Sequence, residues 1–125
     1  YVVYIESDLI WETETIRRLL TDLDMHEQMD AVAPLCIHRP TGKFYDTWGY
    51  RKDGVQFRGD APYHVGVGRK PTVIDSAGSC LVMRGAVARS CSFNPPELGI
   101  VGFGRDMHRF GYRLYVDPSC AVYHP

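Results

Sequence analysis

The sequence lacks three features that would each indicate a particular class of protein. Its four cysteines are widely spaced and form no CxxC pair, which argues against a zinc cluster or a thioredoxin-type motif and favours buried free thiols. Lys and Arg number 14 against 15 for Asp and Glu, so there is no basic surplus and we expect no nucleic-acid partner. The apolar runs are far shorter than the roughly 20 residues that a membrane-spanning helix needs.

What is present fits one domain. The 125 residues, 45% of them hydrophobic, are enough for a single core and too few for two. The chain opens on an apolar run, YVVYI at residues 1–5, which predicts a strand buried on both faces in the centre of a sheet. Because a natural protein rarely begins inside a buried strand, we expect residues 1–125 to be a single partial domain. Any upstream half, partner subunit or membrane anchor would then lie outside this chain.

The spacing of apolar residues predicts two helices. Residues 16–23 repeat at helical spacing, which predicts a helix with Thr13 as its N-cap. Residues 100–110 repeat in the same way and end at Gly111, a residue suited to the position after a helix C-cap.

Four further segments read as strands. Residues 30–37 predict a strand that Pro34 places at an edge or a bulge, and residues 73–83 predict one strand interrupted by small residues. Residues 112–116 and 121–123 predict two short strands separated by a turn. Together these elements indicate an α/β fold with a mixed sheet flanked by helices.

Two carboxylates follow the first predicted strand, in the triplet Glu6-Ser7-Asp8. Acids that flank a small residue at a strand end project towards one side of the sheet edge, where their oxygens suit a hard cation. Mn²⁺ or Mg²⁺ held there would stabilise negative charge on a departing diphosphate. Such triplets also arise by chance or cap helices, so the triplet alone leaves the metal site open.

The segment YVVYIESDLIWETETIRRLL resembles the strand, acidic triplet and helix of GT-A glycosyltransferases. The resemblance implies the second half of a GT-A domain, with Asp8 as a metal ligand and Glu6 as a ligand or a contact to the donor's ribose or sugar. The family's triplet is usually Asp-x-Asp, and here its first acid is Glu6. The closing segment GYRLYVDPSCAVYHP is also similar to that fold, which implies His124 as a further metal ligand. An exposed or core-bound histidine is the alternative.

A long segment, residues 38–71, predicts an ordered functional loop because it is rich in aromatic residues yet has no clear period. Its motif KFYDTWGYR surrounds Asp46 with aromatic rings. Aromatic faces can stack on sugars, whereas Asp and Arg can bond hydroxyl groups, so Asp46, Trp48 and Arg51 are candidates for binding donor or acceptor. Core packing of the rings is the alternative. FYDTW, followed by Arg51 and Asp53-Gly54, resembles the fungal capsule-associated mannosyltransferases and, in general layout, the fungal Golgi mannosyltransferases.

The segment IDSAGS at residues 74–79 corresponds to the part of the GT-A fold that lies beneath the donor sugar. The resemblance implies substrate contacts for Ser76 and Gly78, and small side chains there let a sugar approach the backbone. Asp75 is a catalytic candidate that would contact a donor-sugar or acceptor hydroxyl, and a role in a turn is the alternative.

The sequence departs from the family before its last predicted helix. Inverting GT-A enzymes often carry an acid pair there that supplies a base, and the matching positions here are Gly99 and Ile100. Either Glu97 acts as the base, or the reaction retains configuration and the leaving phosphate takes the proton. Arg105, Arg109 and Arg113 are candidates for neutralising the diphosphate, with a solvated face as the alternative.

The resemblance therefore implies a metal-dependent glycosyltransferase that moves a hexose to a saccharide hydroxyl. The mannosyltransferase likeness implies mannose, GDP-mannose as the nucleotide-diphosphate sugar donor, and retention. Two other classes stay open: a degenerate GT-A domain that binds glycan or supports a partner, and a nucleotidyltransferase. The compartment is also open, being cytoplasmic for a bacterial or viral protein and the Golgi lumen for a fungal one.

Overall fold

The computed structural model describes residues 1–46, 48–56 and 70–125, which form an α/β fold with a mixed open sheet. None of the helices in these ranges is long and apolar enough to cross a membrane. The strands are β1 (Val2–Ile5), β2 (Ala31–His38), β3 (Lys43–Phe44), β4 (Arg51–Lys52), β5 (Val55–Gln56), β6 (Thr72–Ile74), β7 (Cys80–Met83) and β8 (Leu114–His124). The helices are α1 (Thr13–Met25), α2 (Gly85–Ser90) and α3 (Ile100–Arg109), and a 3-10 turn spans Pro96–Leu98.

The sheet brings the carboxyl ends of three strands to one edge. Its order in the described residues is β1-β7-β2-β8-β6, with β3 paired to β2, while β4 and β5 form a separate hairpin. β2 and β8 are parallel, and both β1 and β2 run antiparallel to β7. β1, β2 and β8 therefore share a direction and end on the same side, the position at which open α/β sheets commonly bind ligands.

Helices cover both faces of this sheet. Successive side chains of a strand point to opposite faces. Val32 of β2 packs with Leu19 and Leu23 of α1 in one buried cluster. Its neighbours along β2 pack in a second cluster with Phe103 and Met107 of α3. Both predicted helices are thus confirmed, and each contributes its apolar face to the core.

β1 lies at an edge of the described sheet rather than in its centre. It pairs with β7, and Val2 and Val3 are each 41% exposed. A continuous apolar run indicates that a strand can be covered on both faces, but it does not determine which strands flank it. The prediction of a central, fully buried strand is wrong for the described residues.

Two further strand predictions are corrected by long-range pairing. Residues 73–83 form two strands, because β6 pairs with β8 whereas β7 pairs with β1 and β2. The two strands predicted at residues 112–116 and 121–123 are one strand, β8, which begins at Leu114 and continues past Pro118 because its register with β2 shifts between Pro34 and Leu35. The predicted bulge at Pro34 is confirmed, while the edge position is wrong since β2 lies between β7 and β8.

The C-terminal end of α3 is as the sequence predicts, whereas the N-terminal end of α1 is not. Gly111 follows α3 with a φ of 79°, as a glycine after the C-cap should. Thr13, however, is the first residue of α1, and Glu12 occupies the N-cap without a side-chain cap. The segment 38–71 also holds more regular structure than its sequence predicts, since it includes β3, β4 and β5.

Two carboxyl groups, that of Asp22 in α1 and that of Asp117 in β8, lie close enough to affect each other's pKa. Asp117 is 2% exposed and Asp22 is half-buried, with its Oδ2 buried without a partner among the described residues. Burial, and then Asp117, raise the pKa of Asp22 to about 6. Burial also opposes ionisation of Asp117, but hydrogen bonds from Ser119 outweigh it and lower the pKa of that carboxyl. As the pH falls below about 6, Asp22 is therefore the member of the pair that takes up a proton first.

We expect Asp22→Asn to raise the free energy of unfolding at about pH 7.5 by about 1 kcal/mol. Because the pKa of Asp22 is raised in the folded protein, its contribution to stability is present at low pH and is lost as the pH rises through about 6. An amide keeps a donor for Asp117 at every pH, so the variant should lose less stability between about pH 5 and 7.5. Urea unfolding at both pH values measures this, with the exposed Glu27→Gln as control. If the free energy of unfolding of Asp22→Asn equals that of the wild type at both pH values, the prediction is wrong.

Candidate functional site

The segment between β1 and α1 crosses the carboxyl edge of the sheet. At its start, the backbone N–H of Glu6 donates to the Ser79 carbonyl, 2.9 Å away, beside the beginning of β7. At its end, Ile10 and Tyr123 exchange two backbone hydrogen bonds of 2.8 Å beside the end of β8. The acidic triplet is thereby carried from one strand to another and brought next to the last residues of β8.

Asp8 and His124 meet where this segment reaches β8. The Oδ2 atom of Asp8 lies 3.1 Å from Nε2 of His124, with 56% of the Asp8 side chain and 19% of the His124 side chain exposed. The Tyr45 ring stacks on the imidazole with 3.8 Å between centroids and 11° between planes. Nδ1 of His124 lies 3.2 Å from the carbonyl oxygen of Pro125. Stacking and this contact together fix the ring, so that Nε2 faces Asp8.

Three carboxylates, those of Glu6, Asp8 and Asp46, act on the same two neighbouring groups. Burial, together with the negative charges of all three, raises the pKa of the Cys36 thiol to about 12. Burial and the same three charges also raise the pKa of Tyr45. The acids thus share one region at the sheet edge, where their combined field attracts cations.

Asp46 is held in place by groups on both sides of its carboxylate. Its Oδ1 accepts the backbone N–H of Gly49 at 2.8 Å, and its Oδ2 accepts the hydroxyl of Ser79 at 3.3 Å. Gly78 leaves room for it, because a Cβ at that position would lie only 1.6 Å from Oδ2 of Asp46. Asp46 and Gly78 therefore form one close contact beside the acidic triplet.

The other candidate residues gather around the β4–β5 hairpin. Asp53 and Gly54 both have positive φ, 52° and 76°, as a two-residue hairpin turn requires. Oδ2 of Asp75 accepts the Gly54 backbone N–H at 2.8 Å, so Asp75 does make the turn contact that was its alternative role. The buried Ser76 donates its hydroxyl to the Gly49 carbonyl at 2.5 Å.

Arg51 and Trp48 lie on the solvent side of this hairpin. Nε of Arg51 donates to the Trp48 carbonyl at 2.8 Å, and its guanidinium carbon lies 5.5 Å from the centroid of the indole ring. The backbone of Arg51 pairs with residues 75 and 76, which connects both side chains to the IDSAGS segment. The aromatic motif thus divides in two. Tyr45 and Trp48 are exposed, whereas Phe44 and Tyr50 belong to the core.

A cavity of about 400 Å³ lies between the hairpin, the IDSAGS segment and α3. Three of the site residues predicted from the sequence line it: Arg51, Asp75 and Ser76. The remaining lining is supplied by the hairpin turn and by one face of α3: Asp53, Gly54, Val101, Gly104, Arg105 and His108. Of the predicted arginines, Arg105 lines the cavity, while Arg109 pairs with Asp106 at 3.6 Å.

Glu97 lies apart from both groups of residues. It is exposed within the Pro96–Leu98 turn before α3, and it neither lines the cavity nor contacts Asp8 or His124 among the described residues. Gly99 and Ile100 begin α3, and neither has a side chain that can take a proton. A base at this position therefore has no structural support beyond the residue's presence in the sequence.

Sequence reasoning missed two contributors to these sites. Ser79 bonds both the Glu6 backbone and the Asp46 side chain, although a serine in a small-residue segment gives no signal of its own. His108 was also missed, and here a signal exists. Residues 101, 104, 105 and 108 follow the i, i+3, i+4, i+7 spacing of one helix face.

In the described residues, no group of three or more His, Cys, Asp or Glu side chains is arranged to hold a metal ion. Asp8 and His124 are in contact as a pair. Mg²⁺ and similar ions are commonly bound by one or two protein side chains, with water and substrate phosphates completing the shell. A carboxylate and an imidazole suit such an ion if a phosphate-bearing ligand supplies the rest.

No protein-family model, curated protein or solved structure matches this chain. The class that the fold itself defines is the α/β domain with a mixed open sheet, carrying polar and charged groups at the carboxyl edge of its parallel strands.

Proposed function

We propose that this domain is the second half of a GT-A glycosyltransferase that moves a hexosyl group from a nucleotide-diphosphate sugar to a saccharide hydroxyl. The observation that carries the proposal is the 3.1 Å contact between Asp8 and His124. These residues lie at opposite ends of the sequence, and each resembles a metal ligand of that family independently of the other. An accidental pair of motifs would have no reason to meet in space.

The geometry of the pair supports a shared divalent cation. Oδ2 of Asp8 and Nε2 of His124 lie 3.1 Å apart, and a carboxylate oxygen and an imidazole nitrogen are both groups that would hold Mn²⁺ or Mg²⁺. Nδ1 of His124 also faces a carbonyl oxygen, which can only accept. If Nδ1 donates there, Nε2 carries the lone pair with which an imidazole would hold a metal ion. Bound Mn²⁺ or Mg²⁺ would supply Lewis-acid stabilisation of the leaving diphosphate.

The surrounding residues have chemistry suited to a sugar donor and acceptor. Glu6 has an exposed carboxylate beside Asp8, available to a ribose or sugar hydroxyl. Asp46 is oriented by Gly49 and Ser79, which leaves it limited freedom to reorganise when a ligand binds. Trp48 offers an exposed ring near the cavity that Asp75 and Ser76 line.

Retention of anomeric configuration is the stereochemistry we propose. An inverting transfer needs a base that takes the acceptor proton, and Gly99 and Ile100 supply none. Glu97 is exposed, does not line the cavity, and makes no contact with the acidic triplet among the described residues. Proton transfer to the leaving phosphate removes the need for such a base, so a donor with an α-linked sugar should give an α-linked product.

Incubation of the intact protein with GDP-mannose and a saccharide acceptor tests this function. We expect release of GDP that depends on Mn²⁺ and stops when a chelator removes it, with an α-linked product by NMR. A β-linked product would overturn retention but not transfer. Absence of metal-dependent turnover with GDP- and UDP-sugars would favour a degenerate binding module. Pyrophosphate release from a nucleoside triphosphate would instead indicate a nucleotidyltransferase.

A further inference from the structure

Close packing of α3 against the IDSAGS segment shapes the cavity beside α3. A Cβ at Gly104 would lie 2.5 Å from the backbone oxygen of Asp75 and 2.7 Å from Cβ of Ser76. Glycine thus lets α3 approach the IDSAGS segment closely, and both elements line the cavity together with the hairpin turn at Asp53. The volume of about 400 Å³ is sufficient for one or two saccharide units.

Two residues of α3, Arg105 and His108, line the cavity and are exposed. Neither side chain makes an ion pair or a hydrogen bond within residues 1–46, 48–56 and 70–125. Arg109 on the same helix differs, because it pairs with Asp106 and stacks on Phe110. Within the part of the chain that the structure describes, the Arg105 guanidinium and the His108 imidazole are thus available to hydrogen-bond a ligand in the cavity.

The hairpin side of the cavity carries both signs of charge, because Arg51 lines it together with Asp53 and Asp75. Asp53 and Asp75 present carboxylate oxygens, and one oxygen of Asp75 is already occupied by the Gly54 N–H. Carboxylates accept hydrogen bonds from hydroxyl groups, whereas they repel anions. A ligand that carries both hydroxyl groups and negative charge can therefore use the carboxylates as well as the basic side chains of the lining.

We propose that this cavity binds a saccharide unit bearing an acidic group, a carboxylate or a phosphate, with Arg105 and His108 selecting the charge and Asp53 and Asp75 receiving hydroxyl groups. The inference rests on the proposed transferase function in one respect, namely that this saccharide is the acceptor of the transfer. Binding itself requires neither metal nor nucleotide, because Asp8 and His124 do not line the cavity.

NMR titration of the intact protein without metal or nucleotide tests the proposal. The probes are a tetramer of galacturonic acid and the same tetramer with every carboxylate methyl-esterified, which removes each charge and adds one methyl group per sugar. We expect the acid to bind at least about fivefold more tightly, with the largest shifts at Gly104 and His108. Mannose 6-phosphate, compared with mannose, shows whether a phosphate serves as well as a carboxylate.

Arg105→Gln and His108→Gln should each reduce the preference for the acidic tetramer, and Arg89→Gln, which removes an exposed charge outside the cavity, should not. Equal binding of acid and ester by the wild type, or shifts centred elsewhere than on the cavity, would overturn the inference. Failure of metal-dependent transfer with acid-selective binding intact would refute only the proposed function. Transfer with no acid selectivity would refute only this inference.

Discussion

Replacing Asp8 with Asn is expected to lower metal-stimulated sugar transfer by at least about 100-fold, since even residues that merely support metal ligands contribute 10- to 100-fold. The amide keeps the size of the side chain but removes the charge that, with His124, would hold the cation. Because 56% of the Asp8 side chain is exposed and its ion contact is with His124, the stability of the fold should change little.

The measurement is turnover of the nucleotide sugar by the intact protein at several Mn²⁺ concentrations, together with Mn²⁺ affinity from electron paramagnetic resonance. Glu14→Gln is the matched control, because it removes one exposed acid from α1 outside the site. His124→Gln should weaken Mn²⁺ binding in the same way. Unchanged Mn²⁺ affinity and turnover in Asp8→Asn would refute the metal site.

Gly78→Ala should lower the free energy of unfolding by about 3 kcal/mol, because the new methyl group has no space beside Asp46. It would lie 1.6 Å from Oδ2 and 2.4 Å from Cγ of that residue. Relief requires the carboxylate to leave its place, which also breaks its hydrogen bonds to Gly49 and Ser79. Chemical denaturation measures the effect.

A double-mutant cycle identifies the cause of that loss. If the methyl group collides with the Asp46 carboxylate, then Gly78→Ala should cost much less in an Asp46→Ala background than in the wild type. Additive effects of the two substitutions would mean that the strain lies elsewhere in the segment. Gly42→Ala offers a contrast, because a Cβ there meets no atom within 4 Å and only its positive φ of 66° is strained.

Local pattern predicted the helices and most strand positions, because amphipathic spacing reports which face of an element is buried. It predicted α3 with its closing Gly111, and it predicted a bulge at Pro34. It failed where the answer depended on pairing partners. Residues 73–83 read as one strand, yet the chain between β6 and β7 crosses the sheet, and no local feature distinguishes an interrupted strand from a crossover.

The candidate site divides in the same way. The acids Glu6, Asp8, Asp46 and Asp75 stand out in the sequence, as does His124 at the chain's end. The sequence does not show which of these residues lie close together in space. The sequence could not separate Tyr45, which stacks on His124, from Tyr50, which is buried, because both belong to the same aromatic motif.

The sequence by itself determined the α/β class, the two amphipathic helices and the residues with ligand chemistry, because these follow from composition and from short-range periodicity. Only the tertiary structure decided that Asp8 and His124 touch, since this depends on the parallel pairing of β2 with β8 and on the bridge between Ile10 and Tyr123. It also decided that Arg105 and His108 face a cavity formed with the distant hairpin. Such pairings join residues far apart in the chain, and their register is set by the packing of the whole sheet.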